Sequence, residues 1–366
     1  MHDTVKGDYP FNLRCFADCD INDPFFDSLK EDYPDFEKWF RRKADKKEKA
    51  YVHLADDSSI QAFLYLKDRE EEAVGTLPPE PRMKIGTIKI CDTSKRRRLG
   101  EGAIGIALWN WQKSGLNEIY VTVFPKHKDI IGVIETHGFT FCCKKDNGEN
   151  VYMKDRRKLD HSDPKRSFSF ISPDFSRGRY IPINDVFHDK MFQYSELKNT
   201  PQLESELPVS NGIAKTYIAT PAGKLDYKEG DLAFIYRKYT GTEYKPSFKS
   251  VVTSFCTVTN VIVVKESGIE KKNFEDFCNL VGNKTVYSEE ELRDSFSKSN
   301  VYVVEMLYNG YFGAGNNVNY NKLVEKGLWG KSHPYNQKLT REQSVELLKI
   351  GGKDVRNVII DKSKPC

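Results

Sequence analysis

Residues 85–107, IGTIKICDTSKRRRLGEGAIGIA, limit the fold more tightly than any other stretch of the chain. A β-type run (Ile85, Thr87, Ile88, Ile90) gives way to a basic polar loop, 92–98. Two glycines one residue apart follow, Gly100 and Gly102, and then an apolar run at helical spacing. This order predicts a strand, a tight turn and a helix N-terminus. The first turn of a helix leaves backbone N–H groups without intrahelical partners and carries the positive end of the helix dipole, so backbone alone can hold an anion there. Glycine lets an oxyanion come close to that backbone, and Arg96, Arg97 and Arg98 add charge-assisted contacts. The ligand this pattern predicts is a pyrophosphate. A P-loop needs Lys-Ser/Thr after its last glycine and the dinucleotide fingerprint needs G-x-G-x-x-G, and the stretch has neither.

Arg97-x-x-Gly100-x-Gly102 resembles the R/Q-x-x-G-x-G/A signature of the GNAT acetyltransferases, and the flanks keep that family's order. A helix candidate at 101–114 is followed by a β-type run at 118–124, a second helix candidate at 126–137, Gly138-Phe139 and a closing hairpin at 140–154. Upstream, β-type runs at 11–17, 49–55 and 60–67 supply further strands. Two short helices are expected within 20–40, the first capped by Asp23 with Pro24 behind it, the second presenting Phe36, Trp39 and Phe40 on one core-facing side. The resemblance implies a mixed central sheet flanked by helices, with acetyl-CoA as cofactor held by Ile88, Ile90, Arg96, Arg97, Arg98, Gly100, Glu101, Gly102 and Ala103. It also implies acetyl transfer to an amine. Many members carry a tyrosine within N-x-x-A-I-x-L-Y-E-K-x-G-F that protonates the leaving thiolate. Here His127 stands at the Asn position and Ile134 at the Tyr position, so the usual acid is missing. Tyr120, Thr136 and His137 are the candidate catalytic substitutes, and Cys91, Asp92 or Glu118 could assist a base-side water.

A chain of 366 residues exceeds what one core usually serves, so two domains are expected, 1–155 and 167–366, joined by a charged, proline-containing linker at 156–166. The net charge of +4 neither demands nor excludes nucleic acid. The N-terminal residues lack an apolar leader core and no run reaches the ~18 apolar residues of a membrane span, so a cytoplasmic protein without membrane partners is expected. Eight cysteines without CxxC pairs suggest neither a zinc site nor a disulfide framework.

Beyond the linker, strong β-type runs at 212–220, 230–238, 250–264 and 300–307 alternate with helix candidates at 184–192, 273–281, 288–297 and 340–350, predicting an α+β module on a curved or barrel-like antiparallel sheet. These runs resemble the PUA-like domains of the ASCH and EVE branches. That resemblance implies a β-barrel with helices and a nucleic-acid pocket formed by Asn211, Lys215, Tyr217, Tyr236, Arg237, Thr253 and Ser254. A Gly-, Asn- and Tyr-rich segment, 307–336, is expected as a mobile loop offering Tyr308, Tyr311 and Phe312 for stacking, and His188 as core cover. The two halves together predict an acetyl-CoA-dependent N-acetyltransferase acting on an RNA-related substrate: a tRNA, an aminoacyl-tRNA or an RNA-bound protein. Two alternatives stay open, a protein-amine acetyltransferase with a docking domain and a non-catalytic acetyl-CoA sensor that binds nucleic acid.

Overall fold

The computed structural model describes residues 11–92, 97–195, 197, 207–330 and 333–360. They belong to two units, divided between Lys158 and Leu159. Strands β1 (Asn12–Cys15), β2 (Lys49–Leu54), β3 (Ile60–Glu70), β4 (Arg82–Ile90), β5 (Glu118–Val123), β6 (Thr140–Lys144) and β7 (Asn150–Asp155) make the sheet of the first unit, in the order β1-β2-β3-β4-β5-β7-β6. Every neighbouring pair is antiparallel except β4 and β5. That parallel pair needs a crossover, and α3 (Leu99–Ser114) provides it. The helix is apolar nearly all round, burying Ala103, Ile104, Ile106, Ala107, Leu108 and Trp111, and it stops at Gly115, whose φ of +75° is the left-handed C-terminal conformation.

Two short helices, α1 (Asp27–Asp32) and α2 (Phe36–Asp45), lie between β1 and β2, and α4 (Lys128–Thr136) follows β5. Asp23 accepts a hydrogen bond from the Phe25 amide at 2.8 Å, with Pro24 opening the turn that leads into α1. Phe36 and Phe40 of α2 join Phe16, Phe26 and Phe63 in one aromatic core, edge-on at 5.0 Å for Phe16–Phe40 and 5.4 Å for Phe16–Phe63. Arg156–Lys158, expected within the linker, form a 3-10 turn closing the first unit; Arg156 is buried, its amide bonded to the Asn117 carbonyl.

The second unit contains β8 (Arg177–Asn184), α5 (Asp185–Met191), α6 (Pro208–Asn211), β9 (Ala214–Ala219), β10 (Leu232–Lys238), α7 (Pro246–Lys249), β11 (Val251–Glu266) and β12 (Ile269–Glu270). It continues through α8 (Phe274–Val281), α9 (Glu289–Ser297), β13 (Val301–Tyr311), β14 (Val318–Asn319), α10 (Tyr320–Glu325), β15 (Lys338–Thr340) and α11 (Arg341–Ile350). Its sheet runs β15-β8-β10-β11-β13-β9, with β12 and β14 attached to β11. This corrects the expectation of a barrel-like antiparallel sheet. β8 and β10 pair in parallel from Gly178–Leu232 to Asn184–Lys238, and among the described residues β9 and β15 remain the two ends of an open path. The start of the segment expected as a mobile loop, residues 307–312, departs from that expectation. β13 extends to Tyr311, Tyr308 and Phe312 are 1% and 4% exposed, and the Tyr308 hydroxyl donates to the Gln193 carbonyl at 2.8 Å. Capping boxes at Ser288/Glu291 and Thr340/Gln343 fix the starts of α9 and α11. No helix among the described residues is long and apolar enough to cross a membrane.

Candidate active site at a strand fork

Strands β4 and β5 are joined along only part of their length. Their parallel ladder runs from Arg82–Glu118 to Ile85–Val121 and stops, while β4 continues to Ile90 paired with β3 alone and β5 to Val123 paired with β7 alone. The two strands make a fork. Its origin is a β-bulge: Tyr65 faces Thr87 and Leu66 faces Ile85, leaving Gly86 as the extra residue. A Cβ at Gly86 would stand 2.6 Å and 2.9 Å from ring carbons of Tyr65, so that ring can lie over the bulge only while residue 86 is glycine. The bulge bends β4 away from β5 and leaves the β5-facing edge of 87–90 without a strand partner among the described residues.

The free arm of β4 ends beside the start of α3. Ile90 Cγ1 would be 3.8 Å from a Cβ placed on Gly100, an ordinary contact, so the chain's own packing does not require glycine there. Arg98, the residue before the helix, has φ +59°, and its carbonyl accepts the first intrahelical bond, from the Gly102 amide at 3.1 Å. The amides of Leu99, Gly100 and Glu101 precede that ladder and lie at the positive end of a 16-residue helix. A helix N-terminus carrying a glycine that the fold does not need fits the pyrophosphate of a coenzyme, and the partnerless edge of β4 fits an extended arm bearing amide groups.

The expected cofactor residues separate on this frame. Ile88 and Ile90 lie on the free arm of β4, and Arg97 and Gly100 lie at the helix start. Arg98 directs its guanidinium to Glu101, with Nε–Oε2 at 2.9 Å and Nη2–Oε1 at 2.8 Å. Gly102 and Ala103 are buried in the first turns of α3. Arg96 lies outside the described residues. Of the expected catalytic residues, Tyr120 belongs to the paired stem of the fork, opposite Lys84. Its ring is buried with Val74, Cys143 and Val151, and its hydroxyl donates to Glu70. Thr136 and His137 end α4, where Thr136 Oγ1 donates to the Gly132 carbonyl and His137 Nδ1 bonds the Val133 carbonyl, each at 2.8 Å. Glu118 is engaged by Arg82 and Arg157.

Polar groups that local sequence did not single out border the fork instead. Thr122, the first β5 residue beyond the stem, donates to Glu149 Oε1 at 3.0 Å, and the Tyr33 hydroxyl donates to the same oxygen at 2.8 Å. Burial opposes ionisation of Glu149, but bonds from Asn147, Lys145 and Tyr33 outweigh it and hold the carboxyl below its ordinary range. Burial and the adjoining carboxylate push the Tyr33 phenol well above its usual value. Helix α1 reaches both arms: Lys89 of β4 donates to Ser28 Oγ at 2.5 Å, and Asp32 bonds Lys126 and, at 2.8 Å, His127 Nε2 just beyond β5. These partners lie 61, 94 and 95 residues apart in the chain, a spacing that no local pattern reports.

In the second unit the expected pocket residues are engaged in several hydrogen-bonded and ring contacts. Arg237, Thr253 and Ser254 share a buried network. Arg237 grips Asp189 through Nε at 2.8 Å and Nη2 at 2.7 Å, His188 joins Asp189 to Thr253 at 2.7 Å and 2.8 Å, and Ser254 lies 3.3 Å from Thr253. Burial lowers the pKa of His188, with Asp189 opposing. Lys215 is buried beside Phe192, whose ring stacks on His188, and donates to the carbonyls of Val209 at 2.5 Å and Ser210 at 3.3 Å, with Asn211 in the adjoining helix α6. Tyr217 bonds Tyr335 and the Pro182 carbonyl, and Tyr236 packs on Trp329 at 4.7 Å.

No family model matches the chain, and no curated protein matches it. Similar solved structures include the PaiA N-acetyltransferase of Thermoplasma acidophilum in complex with coenzyme A, 15% identical over 40% of this chain and 99% of that one, with a TM-score of 0.28. The N-acetyltransferase PseH of Campylobacter jejuni in complex with acetyl coenzyme A is 14% identical over 40% and 99%, with a TM-score of 0.28. A point mutant of the ZmASCH protein of Zymomonas mobilis is 14% identical over 47% and 94%, with a TM-score of 0.29. At these scores and identities the likenesses decide neither family nor activity.

Proposed function

We propose that the chain is an acetyl-CoA-dependent N-acetyltransferase of the GNAT kind, with an RNA-related acceptor selected through the second unit. One observation carries the coenzyme assignment: the β4–β5 fork opens beside Gly100, at the start of a helix whose sequence is Arg97-x-x-Gly-x-Gly. The partnerless β4 edge receives the pantetheine amides, the first turn of α3 receives the pyrophosphate, and the thioester reaches the fork, where an amine attacks its carbonyl.

For the acceptor, support comes from the loop after β10. Tyr244 and Phe248 are 54% and 60% exposed, Lys249 Nζ stands 4.3 Å over the Tyr244 ring, and Lys238 and Lys245 are exposed beside them. Exposed rings between lysines form a stacking platform with countercharge for a single-stranded polynucleotide. The test is transfer of label from radiolabelled acetyl-CoA into cell extract separated into RNA, protein and small molecules, with and without nuclease. Nuclease-sensitive label is the expected result. Label confined to protein would replace RNA with a protein amine, and coenzyme binding without any label would make the protein a sensor. Tyr244→Ala/Phe248→Ala is expected to weaken RNA binding by roughly tenfold or more, stacking being worth about 1–3 kcal/mol per base.

A further inference from the structure

Past the free end of β5, the chain turns into α4 through His127, and this ring carries a feature the coenzyme site does not use. Its Nε2 lies 2.8 Å from Asp32 Oδ2, and the Asp32 and His127 side chains are 8% and 39% exposed. Burial works against ionisation of Asp32, but the bonds from Lys126 and His127 outweigh it and keep it a carboxylate. A carboxylate on Nε2 holds the proton on that nitrogen, so the lone pair of a neutral ring sits on Nδ1, which has no hydrogen-bond partner among the described residues. Helix α1 holds this pair at the mouth of the fork, with Ser28 on the free arm of β4 and Asp32 beyond the end of β5.

We propose that His127, oriented by Asp32, is the general base of the transfer reaction; the proposal rests on the acetyl-transfer reading above. The acceptor nitrogen bonds to the thioester carbonyl carbon, Nδ1 takes the nitrogen's proton, the C–S bond breaks, and the proton passes from Nδ1 to the departing thiolate. Acetyl-amine and free coenzyme A thiol are the products, and His127 returns to its starting state. The charged groups belonging to this mouth are Asp32 on α1, Lys126, Lys128 and Asp129 in the ring's own segment, Lys89 on β4 and Glu149 at the start of β7.

The experiment uses the full chain and two readouts. Calorimetry measures acetyl-CoA binding, and thiol release is followed from about pH 5.5 to 9 with 2,2,2-trifluoroethylamine, a weakly basic amine that stays unprotonated over most of that range, as the probe. His127→Gln keeps an N–H donor for Asp32 but cannot take a proton. It is expected to bind acetyl-CoA as the wild type does, to release thiol roughly 10²-fold more slowly and to lose the acid limb of the profile. Asp32→Asn leaves the imidazole but removes the carboxylate, and is expected to slow release roughly tenfold and to displace that limb. A His127→Gln protein that releases thiol within about threefold of wild type with the same acid limb would overturn the proposal, leaving the pair a tie between α1 and α4. A wild type that binds acetyl-CoA but releases no thiol would overturn it too, while one that does not bind would sink the acetyl-transfer reading beneath it.

Discussion

Gly100→Ala separates what the fold needs from what a ligand needs. A methyl group at this position would meet one protein atom among the described residues, Ile90 Cγ1 at 3.8 Å, so it adds no overlap. Residue 100 is the second of α3, where alanine favours the helix over glycine by up to about 1 kcal/mol. The apo protein should therefore melt at the wild-type temperature or up to ~4 °C above it. Its affinity for acetyl-CoA should move the other way. A methyl over the amides of 99–101 denies a phosphate oxygen one charge-assisted hydrogen bond, worth about 1.5–3 kcal/mol, and the expected loss is roughly 10- to 100-fold in Kd. Calorimetric melting of the apo form and titration with acetyl-CoA test both signs. An apo melting point several degrees lower would mean that the protein itself occupies the space above Gly100. An unchanged Kd would mean that the start of α3 does not hold the coenzyme.

Gly86→Ala should do the opposite, costing stability because the Tyr65 ring cannot yield: it is flanked by Phe16 at 5.3 Å and Trp39 at 5.7 Å, and Lys43 and Glu48 hold its hydroxyl. A loss of about 1–3 kcal/mol in denaturant unfolding is expected, and a smaller loss when the same change is made in a Tyr65→Ala background, where the ring it would meet is gone. Glu149 has a depressed pKa in the folded state, so its stabilisation is complete above its unfolded pKa of about 4.3 and lost as pH falls below it. Melting temperature should thus fall less steeply between about pH 5 and 3 in Glu149→Gln than in wild type. Arg237→Ala leaves Asp189 buried beside His188 without its bidentate partner, and should lower the stability of the second unit by about 3–5 kcal/mol in urea unfolding.

The secondary structure of the candidate site is local to the stretch that suggests it in sequence: 85–90 is a strand, 99–114 a helix, and the glycine at the turn faces the strand end. Those features are local, set by periodicity and by residues a few positions apart. What sequence left hidden depends on pairing between distant strands. The fork could not be read, because Gly86 looks like any strand glycine until Tyr65 is placed over it. His127 was noticed only as a departure from a family pattern, since its partner Asp32 lies in what reads as a helix end. In the second unit Arg237 and Thr253 read in sequence as ligand contacts; in the fold they bond Asp189 and His188, a ring that reads in sequence as mere core cover. Strand-forming runs were equally legible there, but a run does not state its neighbour, and the parallel β8–β10 pair is what sets the open sheet apart from the expected barrel.

Partly unzipped strands also bear on what the protein avoids. An exposed strand edge invites another chain to pair with it, and proteins ordinarily blunt such edges with charge, proline or cover. Here the two arms face one another across a wedge that narrows to ordinary strand spacing at Ile85 and Val121. An intruding β-strand would need about twice that spacing, with room for side chains above and below, and could not reach the narrow end. A slender arm bearing amide groups and no side chains could. The taper thereby guards the middle of the sheet against self-association by shape, where most sheet edges rely on charge or cover.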